Sequence, residues 1–230
     1  IEFFRRAQHC FGRSAFMMSG SGNFLFFHLG VVKALWQQGV MPSIISGSSG
    51  GSIIGAIVCT HKDEDVEKNF DLDYFNDIQN SVSAEAKSSK GHRAYLRGLK
   101  VQKAIARIIP DLTFQEAYDL TGRQLNVSIA PAQQYQNSRL LNVIASPNVY
   151  IREGVRASCA LPGVYPAVTL MAKGLNGERQ PYLPDRKWVD GSLTNDLPAK
   201  RLARLYGVNH YIVSQANPLV TRFVANRAPR

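Results

Sequence analysis

A glycine–serine run set between two apolar segments constrains this chain more than any other stretch. Residues 44–52 read Ile-Ile-Ser-Gly-Ser-Ser-Gly-Gly-Ser and hold a Gly-x-Ser-x-Gly pentad, Gly47 to Gly51, with Ser49 at its centre. Ile44 and Ile45 are β-branched and suit a buried strand, while Ile53-Ile54-Gly55-Ala56-Ile57-Val58 suits an apolar helix. A strand that turns sharply into a helix leaves no room for side chains beside the central serine, so glycines flank it. The hydroxyl then stands at the carboxyl edge of a sheet, where the free N–H groups of the helix N-terminus also point. That context points to acyl transfer through a covalent seryl intermediate. A plain turn between buried elements is the alternative for the pentad taken alone.

The rest of the chain alternates strand and helix patterns. Ser14–Ser19 reads as a first strand, and Phe27, Val31 and Leu35 fall at helical spacing up to Gly39. Asp63–Asn80 and Leu96–Ile109 read as helical, and Thr113 with Glu116 forms a capping box. Leu125–Ala130 and Leu140–Ala145 read as strands, Lys173–Lys187 as a Gly/Pro-rich loop, and Trp188-Val189-Asp190 as a strand end. Pro198–Tyr206 reads as a helix and His210–Ser214 as a last strand. This order predicts a three-layer α/β/α sandwich with a mostly parallel central sheet. One domain over residues 1–230 is expected, with 83–93 as a candidate mobile loop.

Bulk properties exclude several classes. The 45% apolar content supports a sizeable core, and no run of 18 apolar residues suggests a membrane span. The scattered Cys10, Cys59 and Cys159 suit a reducing, cytoplasmic compartment, not a disulfide framework. With no signal peptide and no initial methionine, the chain is expected to be the catalytic piece of a longer protein. The net charge of +10 favours either a solvated basic face or an anionic membrane surface. Nucleic acid is not expected, because the aromatic residues lie in apolar periodic segments and do not alternate with the basic ones. No metal constellation and no cofactor motif is present. The Gly20-Ser21-Gly22 loop lacks the third glycine of a dinucleotide loop, where Leu25 stands, and the Lys-Ser/Thr pair of a phosphate loop.

A seryl hydrolase also needs a base and oxyanion donors. The N–H groups of Gly20, Ser21 and Gly22, after the first strand, are candidate donors, with that of Gly50 beside the nucleophile. Asp190, at a strand end, is one candidate base. His210 is another, because it gives the order Ser…Asp…His, although it opens an apolar strand where a structural histidine fits better. His28 is expected to fix the glycine loop by a hydrogen bond.

Taken together, Gly20-Ser21-Gly22-Asn23-Phe24-Leu25 with His28–Leu35, then Gly47–Ser52, then Asp190-Gly191-Ser192 closely resemble the patatin-like phospholipase family. Leu112–Asp119, Ala157–Gly163 and Val208–Gln215 resemble its triacylglycerol-lipase branch. The resemblance implies a Ser49–Asp190 dyad without histidine and an oxyanion loop at Gly20, Ser21 and Gly22. It also implies cleavage of fatty-acyl esters of triacylglycerol or phospholipid at a membrane or lipid-droplet surface, with peripheral attachment. Acyl transfer to a lysophospholipid by the same dyad is one alternative, and a lipid-binding module with a decayed site is another. The loop departs from the family's pattern at Ser21, Phe24 and Leu25. Serine keeps its N–H there if its backbone angles suit a residue with a Cβ, and Leu25 is expected to fill space where the family keeps backbone.

Overall fold

The computed structural model describes residues 2–3, 11–68, 102–133 and 136–221. The loop expected at 83–93 lies outside them, as do residues 69–80 of the segment read as helical at 63–80 and residues 96–101 of that read at 96–109, whose remainder is helical over residues 102–108. The main sheet contains β1 (Arg13–Met18), β2 (Ile44–Gly47), β3 (Gln124–Pro131), β4 (Arg139–Leu141) and β8 (Val208–Ser214) in the order β4-β3-β2-β1-β8. The pairs β8–β1, β1–β2 and β2–β3 are parallel, and β4 is antiparallel to β3. A hairpin of β5 (Leu170–Lys173) and β6 (Arg179–Tyr182) stands apart from it.

Helices cover both faces, as the strand sequences require. In β1, Phe16 and Met18 join the larger core, while Ala15 and Met17 join the smaller one on the opposite face. Among the described residues, α1 (Leu25–Gln37), α2 (Gly50–Thr60), α3 (Phe114–Thr121) and α4 (Ile151–Ser158) serve the larger core, joined by Val66, Ile105, Ile108 and Ile109. The smaller core is closed by α5 (Ala199–Tyr206) through Leu202 and Tyr206. Every residue of α2 is buried, so its apolar composition reflects a helix enclosed on all sides. The capping box is present: Thr113 Oγ1 accepts from Glu116 N at 3.2 Å, and Thr113 N donates to Glu116 Oε2 at 2.8 Å.

Two expectations fail for local reasons. The strand read at 140–145 ends at Leu141, because the Asn142 side-chain oxygen accepts from Ile144 N at 3.0 Å and Ala145 N at 2.8 Å. That Asx turn bends the chain away from the sheet. The loop read at 173–187 instead contains the turn and second strand of the hairpin. Pro181 is tolerated there because β6 is paired along one edge only among the described residues.

One pairing positions the site. Ile129 of β3 is opposite Arg139 of β4 and also opposite Asp190 of β7 (Trp188–Asp190). A strand residue has only two edges, so β7 lies on the β2 side of β3. There β2 stops at Gly47, opposite Val127, and β7 occupies the row beyond it. Asp190 therefore lies two residues further along β3 than Gly47, about 7 Å. The strand end at 188–190 is as expected, and β7 runs antiparallel to β3. Asp190 reaches the carboxyl edge of β2 because β7 runs antiparallel into it.

Candidate active site

Ser49 occupies the turn between β2 and α2 with φ 49° and ψ −121°, a conformation that disfavours a residue with a Cβ. The flanking glycines are obligatory. A Cβ on Gly47 would lie 2.3 Å from Gly51 O, and one on Gly51 would lie 2.7 Å from both Met18 O and Ser19 O. Hydrogen bonds hold the strained turn from three sides. Ser49 N donates to Ser158 Oγ at 2.9 Å, and Ser158 Oγ donates to Ser128 O at 2.7 Å, which ties the turn through α4 to β3. Ser52 Oγ donates to Ser49 O at 2.6 Å, and Ser48 Oγ donates to Asp196 O at 2.8 Å. Ser49 itself is half-buried, between core and solvent.

The loop after β1 faces this turn. Ser21 adopts φ −132°, which a serine accommodates, and the left-handed conformation falls on Gly22 at φ 51°. Leu25 opens α1 and is buried. Its Cβ would lie 3.3 Å, and Ser21 Oγ 2.3 Å, from a Cβ on Gly50. Gly50 is thus where the loop presses against the nucleophile helix, and Leu25 fills the space beside it as expected. Gly20 plays a different part from the other loop residues. Its N–H donates to Asp196 Oδ1 at 2.7 Å, so it anchors the loop and is not a free donor. Among the described residues, nothing accepts a hydrogen bond from the N–H groups of Ser21, Gly22 and Gly50.

Asp190 is buried at 3% exposure, and Ser192 N donates to its Oδ1 at 2.8 Å. Burial raises its pKa above the ordinary aspartate value, against the opposing effect of the Ser192 amide and the hydroxyls of Ser192 and Ser49. The Ser49 hydroxyl makes the smallest of these opposing contributions. Cys159 reaches the same point: burial and then the Asp190 charge push its thiol up to about 12, while Ser52 and Ser49 oppose the shift. A thiol held neutral there is a poor nucleophile.

Sequence reasoning missed Asp196. Burial raises its pKa too, opposed first by its hydrogen bond with Asn217. Its Oδ2 accepts from Asn217 Nδ2 at 3.0 Å, so with Gly20 and Ser48 it joins three segments at the site. It follows Asp190 in a turn before Pro198, and no motif marks it. His28 is placed as expected. Its Nε2 donates to Ser19 O at 2.9 Å, because a carbonyl can only accept, which leaves Nδ1 to accept from Ser214 Oγ at 2.7 Å. His210 is exposed near the start of β8, stacked on Phe11 at 5.0 Å, with its Nε2 3.3 Å from Phe11 O. It pairs with Ser14 near the start of β1, at the opposite end of the strands from Ser49. Among the described residues, no group of His, Cys, Asp and Glu side chains could hold a metal ion.

Comparison with known proteins decides the family. The family model described as patatin-like phospholipase matches residues 16–203. The chain belongs to the patatin-like phospholipase family. Triacylglycerol lipase SDP1L of Arabidopsis thaliana is 38% identical to this patatin-like chain over 97% of it and 30% of the relative. Triacylglycerol lipases 4 and 5 of Saccharomyces cerevisiae are 37% and 35% identical, over 93% and 90% of the chain and 25% and 30% of their own lengths. The chain thus spans about a third or less of these curated relatives. The solved structure of VipD from Legionella pneumophila aligns with a TM-score of 0.51 and 14% identity, over 88% of the chain and 49% of VipD, and it shares the fold. The expected α/β sandwich is therefore borne out.

Proposed function

We propose that this patatin-like chain is a serine acyl hydrolase that cleaves fatty-acyl esters of triacylglycerol or phospholipid. One observation supports the reading: Ser49 on its strained turn and the buried Asp190 at the end of β7 lie at the same carboxyl edge of β2, beside three N–H groups with no acceptor among the described residues. Ser49 Oγ attacks the ester carbonyl and its proton passes to Asp190, while the N–H groups of Ser21, Gly22 and Gly50 receive the developing oxyanion. Collapse breaks the bond to the alcohol, which leaves with the proton from Asp190. Water then attacks the acyl-enzyme, with Asp190 as base again, and releases the fatty acid and Ser49. Burial suits Asp190 to this part, because an ordinary aspartate is a weak base for a hydroxyl and a raised pKa strengthens it.

The substrate class draws support from the triacylglycerol lipases among the relatives and from the surface around the site. Phe24, Phe27, Leu161 and Leu193 are each at least 39% exposed in the segments that carry the loop, the end of α4 and Asp190. Such a rim suits a lipid surface, and peripheral attachment in the cytoplasm is the form we assign to it. Among the described residues, no helix is long and apolar enough to cross a membrane.

The test is fluorophosphonate labelling of wild type and Ser49→Ala, beside hydrolysis of a panel of neutral lipids and phospholipids. Labelling and fatty-acid release are expected from wild type and absent in Ser49→Ala. Equal labelling of the two proteins, or none of wild type, refutes the reading.

A further inference from the structure

Two adjoining clefts at the β4 edge, unrelated to the residues above, share Ser138 and Arg139. One of about 400 Å³ is lined by Arg201, Arg204, Leu140, Ala145 and Leu205 among others. The second, about 380 Å³, adds Gln136, Asn137 and Arg186. Arg139, Arg201 and Arg204 thus line the first cleft and Arg139 and Arg186 the second, and none of the four is paired with a carboxylate among the described residues. Elsewhere Arg123, Arg152, Arg156 and Arg179 each pair with an aspartate or glutamate. Even Asp185, next to Arg186 in the chain, leaves it unpaired.

Two of these guanidinium groups are held in place without being neutralised. Arg201 Nη2 donates to Ser138 O at 2.7 Å and to Ser138 Oγ at 3.2 Å, which leaves its other N–H groups available. Arg139 lies over the Trp188 ring at 5.6 Å. Arginine forks of this kind match the oxygens of a phosphate. The first cleft also carries Leu140, Ala145 and Leu205, a surface suited to a ligand with an apolar part beside its charge. A bare polyanion has no use for it.

The position is as informative as the chemistry. Arg139 and Asp190 flank Ile129 from its two edges, so their backbones stand two strand spacings apart, about 10 Å. Because β4 runs antiparallel, Arg139 lies toward the same sheet edge as Ser49. A ligand held at Arg139 is therefore toward the Ser49 edge, and the first cleft runs from there along α5 to Arg204 and Leu205.

We propose that the Arg139–Arg186–Arg201–Arg204 clefts bind the phosphate headgroup of an anionic phospholipid in the lipid surface and so turn the Ser49 edge toward that surface. This rests on the lipid-surface reading above but not on catalysis, and the test separates them. Ser49→Ala protein is sedimented with phosphatidylcholine vesicles with and without phosphatidic acid. The background is compared with the added pair Arg139→Gln/Arg204→Gln and with a control pair of equal charge loss, Lys33→Gln/Lys62→Gln. Arg201 is left intact because its bonds to Ser138 hold the loop.

The arginine pair is expected to lose about thirtyfold of the phosphatidic-acid-dependent binding, on the scale of two surface charges, with the control pair within about twofold of its parent. In a Ser49 background, the arginine pair is expected to cleave a soluble short-chain ester within about twofold of wild type, which shows an intact fold. Equal losses in both pairs, or none in the arginine pair, overturn the proposal. Inorganic phosphate that saturates the clefts as tightly as the vesicles do would make them a free-phosphate site, and RNA that competes as well as phosphatidic acid would make them a polyanion site. Either result overturns it. Failed ester cleavage by wild type with vesicle binding as expected refutes the hydrolase reading alone.

Discussion

The carboxylate of Asp196 holds the N–H of Gly20 at 2.7 Å, although the two residues stand 176 positions apart. The same side chain takes the Asn217 amide, and its backbone carbonyl takes the Ser48 hydroxyl. The glycine loop, the nucleophile turn and the segment after β8 are therefore fixed to one residue. Asp196→Ala strands the N–H of Gly20 and removes one partner of Asn217. It is expected to destabilise the fold by about 1–3 kcal/mol in urea titrations. It should also lower kcat about tenfold or more, with KM little changed, because oxyanion donors act on the transition state. Asp196→Asn keeps an acceptor for Gly20 and is expected to recover most of kcat. If KM rises and kcat holds, the loop does not depend on this anchor.

The strain at Ser49 gives a second expectation. Its φ of 49° costs on the order of 1–3 kcal/mol for a residue with a Cβ. Ser49→Gly removes that strain but gains freedom in the unfolded chain. A net stabilisation of about 1 kcal/mol is expected, with esterase activity lost. Thermal melts beside activity assays check both. A less stable, inactive Ser49→Gly would show that the serine's own contacts outweigh the turn's strain.

How much of this was legible follows from which constraints are local. The nucleophile turn could be read because the limit on Gly47 is local: the Gly51 carbonyl, four residues on, leaves it no room for a Cβ, although the limit on Gly51 comes from Met18 and Ser19 at the end of β1. The capping box could be read for the same reason, since Thr113 and Glu116 satisfy each other's amides. Asp190 was recognisable from its motif, but its route to the site was not. That route depends on which side of Ile129 β7 takes, a choice that no spacing encodes. Asp196 left no trace because its three partners come from segments far apart in the chain. The misread strand at 140–145 turned on one Asn142 side chain, which competed with the sheet for two amides.

A third expectation concerns the residue after Asp190. A Cβ on Gly191 would lie 2.5 Å from the Ser128 carbonyl group, whose oxygen accepts from Ser158. Backbone cannot yield as a side chain can, so Gly191→Ala must push β7 away from β3. A loss of about 1–3 kcal/mol in denaturant titrations is expected. A fall in kcat beyond that due to unfolded protein should accompany it, as Asp190 moves with the strand. Wild-type stability in Gly191→Ala would mean that the β3–β7 contact is looser than described.

The Asp190 carboxyl sets the pH dependence. Burial raises its pKa from the ordinary 3.8, and only the ionised form can take the Ser49 proton. With a soluble ester as substrate, kcat/KM is expected to fall on the acid side with a midpoint above 3.8. The stability sign is opposite. A carboxyl whose pKa is higher in the folded chain favours folding most below 3.8, and that contribution is lost as pH rises through the raised value. At neutral pH the wild type therefore folds against a buried charge. Asp190→Asn removes the charge, keeps an acceptor for the Ser192 amide, and is expected to be inactive yet at least as stable as wild type at pH 7. Its advantage in urea titrations should shrink as pH falls toward 4. An acid limb at or below 3.8, or an Asp190→Asn protein that is less stable at neutral pH, would show that hydrogen bonds outweigh burial at this carboxyl.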